Sequence, residues 1–229
     1  EFKDIVVNCT DSLGIRSRGV EVGAKIHEHA QEALDRDPSR KEKEFLMMSF
    51  GCGTALPMLE VAKEMKEQGW SKVKLILIDQ DPIALAAATE LADQMGLGDD
   101  IEVHCKKLFS KLGKPIDMET VLDGRLLDVS EDSGLREYLP DKIYRDLTAE
   151  AWKHLAEGGL MTTGNMNTNR PQKKFLHGLM GWVPRVTMRT IGECINLHRA
   201  AGVPRDATKV RVTRDGVYSL YFSQKPYSS

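Results

Sequence analysis

The segment Ser49-Phe-Gly-Cys-Gly-Thr-Ala55 constrains this chain more than any other. It follows a short apolar run, Phe45-Leu-Met-Met-Ser-Phe50. It precedes Ala55 to Gln68, where Leu59, Ala62 and Met65 fall on one face and Lys63, Glu64, Lys66 and Glu67 on the other. The pattern predicts a buried strand, a tight turn and a helix, with Gly69 stopping the helix. Two glycines at i and i+2 let a ligand approach the backbone closely, and a helix N-terminus beside them offers unpaired N–H groups. The next run, Val73-Lys-Leu-Ile-Leu-Ile78, is nearly unbroken in its aliphatic character, as a parallel strand covered on both faces requires. It ends in Asp79-Gln80, about 26 residues past the turn. An acid placed there can accept two hydrogen bonds from ribose hydroxyls. Strand, turn, helix and acid together predict a nucleoside-containing cofactor at the carboxyl edge of a sheet.

The turn also says which cofactors to set aside. A dinucleotide turn places a third glycine where helix and pyrophosphate meet. Counting on from Gly51 and Gly53, that position falls on Leu56, against NAD or FAD. A phosphate loop ending in Gly-Lys-Ser or Gly-Lys-Thr is absent from the sequence.

The rest of the chain alternates in the same way. Val20 to Leu34 reads as a helix, with Val22, Ile26, Ala30 and Ala33 in three-or-four spacing. The polar stretch from Asp35 to Glu44, with Pro38, reads as an exposed connection. Asp81-Pro82 opens a helix that runs to Met95 and stops at Gly96, Asp81 capping it and Pro82 taking the first helical position. Ile101 to Cys105 and Leu126 to Ser130 are expected strands. Lys142 to Ala156 is a helix on which Ile143, Leu147, Ala151 and Leu155 form one stripe. Gly158-Gly159 ends it before a fifth strand, Leu160 to Thr163. Helices are expected over Pro171 to Trp182 and Arg189 to Ala200. Val210 to Val212 and Val217 to Phe222, split by Arg214-Asp-Gly216, read as a closing antiparallel hairpin. The fold class is α/β: a doubly wound sheet with an antiparallel end.

Composition bounds the function. With 229 residues, 41% hydrophobic and 29% charged, the chain suits one α/β domain with a real core. A mean hydropathy of −0.35 and the lack of a long apolar run predict no transmembrane span and no membrane partner. Glu1-Phe-Lys-Asp4 shows no signal-peptide pattern, and Cys9, Cys52, Cys105 and Cys194 stand too far apart for a disulfide framework or a zinc site. A cytoplasmic location and no metal are expected. A formal net charge of −2 gives no basic excess, so nucleic acid is not the expected partner. His27 and His29, two apart on a helix, point to different faces and are read as solvated rather than as metal ligands.

The motif residues resemble the class I S-adenosylmethionine-dependent methyltransferases, in a bacterial subgroup that acts on small molecules. The family's first motif, acid-x-Gly-x-Gly-x-Gly, is matched by Ser49 to Ala55, with Ser49 in place of the acid and Ala55 in place of the last glycine. Ile78-Asp-Gln-Asp-Pro82 is similar to the second motif. Leu127-Asp128, Ser133-Gly-Leu135, Tyr138-Leu-Pro-Asp141, Glu157-Gly-Gly-Leu160 and Gly164-Asn165 extend the likeness, which covers roughly Lys43 to Phe222. The resemblance implies a mostly parallel seven-stranded Rossmann-like sheet with an antiparallel C-terminal strand, a helical cap over residues 1–42 and a cofactor-binding domain over 43–229. It implies S-adenosylmethionine as cofactor, held by Ser49, Phe50, Gly51 and Gly53. Asp79 would sit on the ribose, Gln80 beside the adenine, and Lys107 and Leu108 would hold the adenine through backbone groups.

Glu131 and Asp132, after the fourth strand, are expected to face the sulfonium, or else to be plain loop acids. Tyr138 either hydrogen-bonds an acceptor or packs beneath the following helix. Asn165 is expected to face substrate over the pocket mouth. Arg16 and Arg18 either clamp the methionine carboxylate or are solvated, the second being favoured. Met161, Met166, Met180 and Met188 read as core or pocket lining. No His or Lys is marked as a general base, so no catalytic residue is assigned. The expected activity is methyl transfer to a small molecule by in-line displacement. The alternatives are aminopropyl transfer and a catalytically silent subunit of the same fold acting by protein contact.

Overall fold

In a computed structural model, the described residues are 2–110, 113–175, 178, 181 and 186–227. A seven-stranded sheet runs in the order β3-β2-β1-β4-β5-β7-β6. Its strands are β1 (Phe45–Phe50), β2 (Val73–Asp79), β3 (Ile101–Cys105), β4 (Leu127–Asp132), β5 (Leu155–Met166), β6 (Thr208–Val212) and β7 (Tyr218–Gln224). The pairings from β3 through to β5 are parallel, whereas β7 is antiparallel to both β5 and β6. The helices are α1 (Phe2–Asn8), α2 (Thr10–Arg36), α3 (Leu56–Glu67), α4 (Pro82–Gln94), α5 (Glu119–Leu122), α6 (Asp141–Lys153) and α7 (Ile191–Ala200).

Strand β1 is buried along its whole length, and β2 is buried at all but Lys74 and Asp79. Both faces of the sheet's centre are therefore covered, as parallel strands demand. On one face, Met58, Leu59, Ala62 and Met65 of α3 meet Val22, Ile26 and Ala30 of α2 and Phe45 and Met47 of β1 in a single core. On the other, Leu46, Met48, Ile76 and Ile78 meet Leu127, Ala151 and Met161. The strand order reverses between β1, which continues to β2 and β3, and β4, which continues to β5. Open α/β sheets bind ligands in the crevice at such a point.

Several boundaries differ from those read in the sequence. Helix α2 begins at Thr10, not Val20. Gly14 lies against the hairpin so closely that a Cβ there would meet Val217 at 2.5 Å. There the α2 backbone packs directly on Val217, the residue before β7. Strand β5 begins at Leu155, so Leu155 belongs to the sheet and not to the α6 stripe, and Gly158, at φ +76, sits inside the strand where its pairing with β4 shifts register. Helix α7 starts at Ile191 under a capping box made by Thr190 and Glu193. Most of the second half of the expected Pro171–Trp182 helix, Met180 included, lies outside the described residues. Asp81 does cap α4, its carboxylate accepting the Ile83 N–H at 2.9 Å.

Two polar readings are corrected. His29 is 4% exposed rather than solvated, and burial pushes its pKa down to about 4. Arg18 is not solvated either; it reaches Tyr218 of β7, 200 residues away in the chain. Met161 and Met166 are core residues, and Met188 packs against the core from the side.

Candidate functional site

The turn after β1 is built from alternating left-handed residues: Gly51 at φ +60, Gly53 at +54 and Ala55 at +53. Glycine adopts this conformation freely, but alanine costs about 1–2 kcal/mol. Ala55, where the resemblance expects glycine, therefore carries backbone strain, the kind held in place only by a surrounding structure that over-determines it. The turn is pinned from β2. Gly51 and Cys52 donate to the Ile78 carbonyl at 2.8 and 3.2 Å, and Gly53 donates to Asp79 Oδ2 at 2.9 Å. Asp79 Oδ1 accepts the Asp81 N–H at 3.0 Å. Each carboxylate oxygen carries two lone pairs, so Asp79 keeps acceptor capacity for a ligand.

Two clefts flank this turn. The first, about 550 Å³, is lined by Ser49, Phe50, Gly51, Cys52, Gly53, Glu131 and Ser133, with Ile15, Arg18, Val20 and Leu56 closing it from α2 and the start of α3. The second, about 460 Å³, is lined by Asp79, Gln80, Lys107, Leu108, Leu135 and Tyr138. Both include Gly51 and Gly134, so they are two lobes of one groove over the carboxyl ends of β1, β2 and β4. A Cβ on Gly53 would meet nothing within 4 Å, whereas one on Gly51 would meet Leu135 at 3.3 Å. The first position opens onto the groove and the second sits at its waist.

Charge is arranged asymmetrically in the first lobe. Ser49 lies opposite Glu131 in the β1–β4 register, and its hydroxyl donates to Glu131 Oε2 at 2.6 Å. The other carboxylate oxygen, Oε1, accepts the Ser133 N–H at 2.8 Å. Arg18 donates from Nη1 to the Tyr218 hydroxyl at 3.0 Å and lies 3.8 Å from Glu137. Burial disfavours its charge, but Tyr218, Glu137 and Glu131 outweigh burial and hold the guanidinium above its ordinary pKa. Burial, then Asp79 and Glu131, push the thiol of Cys52, also in this lobe, up to about 12, away from the thiolate form.

The groove therefore brings together Ser49, Phe50, Gly51, Gly53, Asp79, Gln80, Lys107, Leu108, Glu131 and Tyr138. Asn165 lies elsewhere. It is 1% exposed, its amide donates to the carbonyls of Met166 and Thr187 at 2.9 and 3.1 Å, and its oxygen accepts from Arg189 at 3.0 Å. Asp132 is likewise buried against Arg136, away from both lobes. Sequence reasoning missed Ser133 and Gly134 as groove residues and gave Arg18 to solvent. Its partners come from distant elements, so no local pattern marks it. Among the described residues no cluster of His, Cys, Asp or Glu is placed to hold a metal, and no helix is long and apolar enough to cross a membrane. A further cleft of about 480 Å³, lined by His29, Arg36, Lys209, Phe222 and Tyr227, lies apart from the glycine turn.

No family model matches the sequence, and no curated protein matches it either. Solved structures resemble it in fold. One is that of an exported protein, so described as possible, from Bordetella parapertussis, with a TM-score of 0.60 at 21% identity over 88% of this chain and 67% of that one. An O-methyltransferase family protein from Burkholderia thailandensis gives 0.61 at 16% identity, over 87% and 57%. An O-methyltransferase family 2 protein from Planctomyces limnophilus, solved in complex with apigenin, gives 0.57 at 19% identity, over 79% and 50%. The chain thus spans half to two thirds of the length of these proteins. With the strand order above, they show a Rossmann-like fold that this chain shares with solved methyltransferases.

Proposed function

We propose that the groove binds S-adenosylmethionine and that the chain transfers its methyl group to a small-molecule acceptor. The observation that carries this reading is the Gly53–Asp79 hydrogen bond beside the strand-order reversal, which joins a strained, open turn in the first lobe to a carboxylate in the second. Asp79 takes the ribose hydroxyls. Gln80 and the backbone at Lys107 and Leu108 flank the adenine in the second lobe, and Ser49, Phe50, Gly51, Gly53 and Glu131 surround the methionine end in the first. In this reading residues 43–229 form the binding domain, and residues 1–42 cap it, since Ile15, Arg18 and Val20 close the first lobe.

When bound, the cofactor supplies an electrophilic methyl group on a sulfonium that is its own leaving group. What remains for the protein is to align the acceptor and keep water out. The apolar mouth made by Ile15, Val20, Leu56 and Pro57 serves the second task. In this reading Tyr138, which lines the second lobe beside Leu135 and Leu139, orients the acceptor from that side of the waist. The apigenin bound by the Planctomyces limnophilus protein supports an acceptor of small-molecule size.

A structure with S-adenosylhomocysteine tests the assignment. The reading expects ribose density within hydrogen-bond reach of Asp79 and the sulfur in the first lobe. Density only in the cleft beside His29 and Tyr227, or in neither, contradicts it.

A further inference from the structure

The cleft of about 480 Å³ beside His29 and Tyr227 follows from the way α2 crosses the sheet. Val22, Ile26 and Ala30 share one core with Leu160, Leu220 and Phe222 of β5 and β7, while β6 beyond them stays exposed from Lys209 to Val212. The space left between α2 and β6 has Leu160 and Phe222 as an apolar floor. Lys25, His29 and Arg36 line it at four- and seven-residue steps, so one side of the helix forms a wall. The end of the chain forms another. The Lys225 carbonyl accepts the Gly158 N–H at 3.0 Å, and the Lys225 N–H donates to the Gly159 carbonyl at 2.9 Å. Tyr227 then lies across Gly158, where a Cβ would stand 2.2 Å from the ring. The Arg36 guanidinium sits over the same ring, 4.3 Å from its centroid.

Among the described residues that line the cleft, Lys25, Arg36, Lys209 and Lys225 are cations and Asp206 is the one anion. Lys225 spends its ammonium on the carbonyls of Lys153 and Leu155, at 3.3 and 2.7 Å. Lys25 is 9% exposed and lies 3.1 Å from Glu28 and 3.7 Å from Glu32, but an ammonium carries three donors and two carboxylates do not exhaust it. Among the described residues no carboxylate pairs with Arg36 or Lys209. An apolar floor with an excess of cations around it matches a flat apolar anion. The guanidinium fork fits a carboxylate, and Asp206 opposes a second negative charge. We propose that this cleft is a second ligand site, independent of the groove, for a small aromatic carboxylate, its ring lying on Leu160 and Phe222 and its anion held by Arg36, Lys209 and Lys25.

The experiment titrates the intact chain with three probes: 2-naphthoate, 2-naphthalenemethanol, which keeps the rings without the charge, and acetate, which keeps the charge without the rings. Wild type is expected to bind 2-naphthoate at least about tenfold more tightly than either of the others. Arg36→Gln and Lys209→Gln are each expected to weaken 2-naphthoate about three- to tenfold, and the double variant more, while the alcohol changes by less than about twofold. Both side chains are exposed, so the variants should melt with wild type. Arg199→Gln removes an exposed charge from α7, outside the cleft, and should bind 2-naphthoate as wild type does. Equal affinity for the alcohol or for acetate overturns the proposal. So does a double variant that holds 2-naphthoate unchanged, an equal loss in Arg199→Gln, or a wild-type chain that does not bind 2-naphthoate. The methyl-transfer reading stands or falls separately, on S-adenosylhomocysteine in the groove.

Discussion

Asp79 Oδ2 accepts the backbone N–H of Gly53 at 2.9 Å, joining the end of β2 to the turn after β1 across 26 residues of chain. One carboxylate thereby does two things: it shapes the turn and faces the groove. Neighbouring Asp81, by contrast, spends its side chain on the first turn of α4.

That division predicts opposite phenotypes for two nearby substitutions. Asp79→Ala should weaken S-adenosylhomocysteine by about 2–3 kcal/mol, roughly thirty- to a hundredfold. Asp81→Ala should leave affinity near wild type and cost about 1 kcal/mol of stability through the lost cap. Titration calorimetry and thermal melting of both variants separate the two effects. A larger affinity loss for Asp81→Ala would place the ribose acid at the wrong residue.

Asn165 and Tyr138 are expected to part company. Asn165→Ala removes two donors to buried carbonyls and the acceptor for Arg189, which also bonds Asp141 and the carbonyls of Arg136 and Leu139. Its melting temperature should fall by the equivalent of about 1–3 kcal/mol, with cofactor affinity retained. Tyr138→Phe should keep cofactor affinity and slow turnover once an acceptor is in hand. An Asn165→Ala protein that melts like wild type but turns over slowly would restore Asn165 to direct contact with substrate.

The contrast marks where sequence reading reached and where it stopped. Strand, glycine turn, helix and acid are local signals, and each falls where its spacing predicts. Asn165 is expected just past the fifth strand but lies inside β5, opposite Ser219, and which way its amide faces depends on Arg189 and Thr187, more than twenty residues on. Arg18 is the stronger case. Its burial depends on Glu137 and Tyr218, and the first half of α2, which carries Gly14 and Gly19 and precedes the Val22–Ala33 stripe, gives no pattern from which that packing can be read.

Acid sensitivity should come from buried histidines. Burial pushes His29 down to about 4, and burial with the nearby Arg136 pushes His198 down to about 3, both from an ordinary 6.5. Each ring is neutral in the fold and takes up a proton on unfolding below its unfolded pKa. Their contribution to stability is therefore full above about pH 6.5 and is lost as pH falls toward those lowered values, by at most about 1.4 kcal/mol per pH unit for each ring. Melting His29→Gln and wild type at about pH 7.5 and about pH 5 checks this. The variant should show the smaller drop; an equal drop would mean that His29 does not set the dependence.

The central claim is that the groove at the glycine turn is a binding site for S-adenosylmethionine, and titration calorimetry on the intact chain tests it most directly. Wild type should bind S-adenosylmethionine one to one. Gly51→Leu should lose that binding with its circular dichroism unchanged, because the new side chain fills the waist of the groove beside Leu135, while its left-handed backbone costs only about 1–2 kcal/mol of a domain's stability. No heat from the wild-type chain, or undiminished affinity in Gly51→Leu, would contradict the claim.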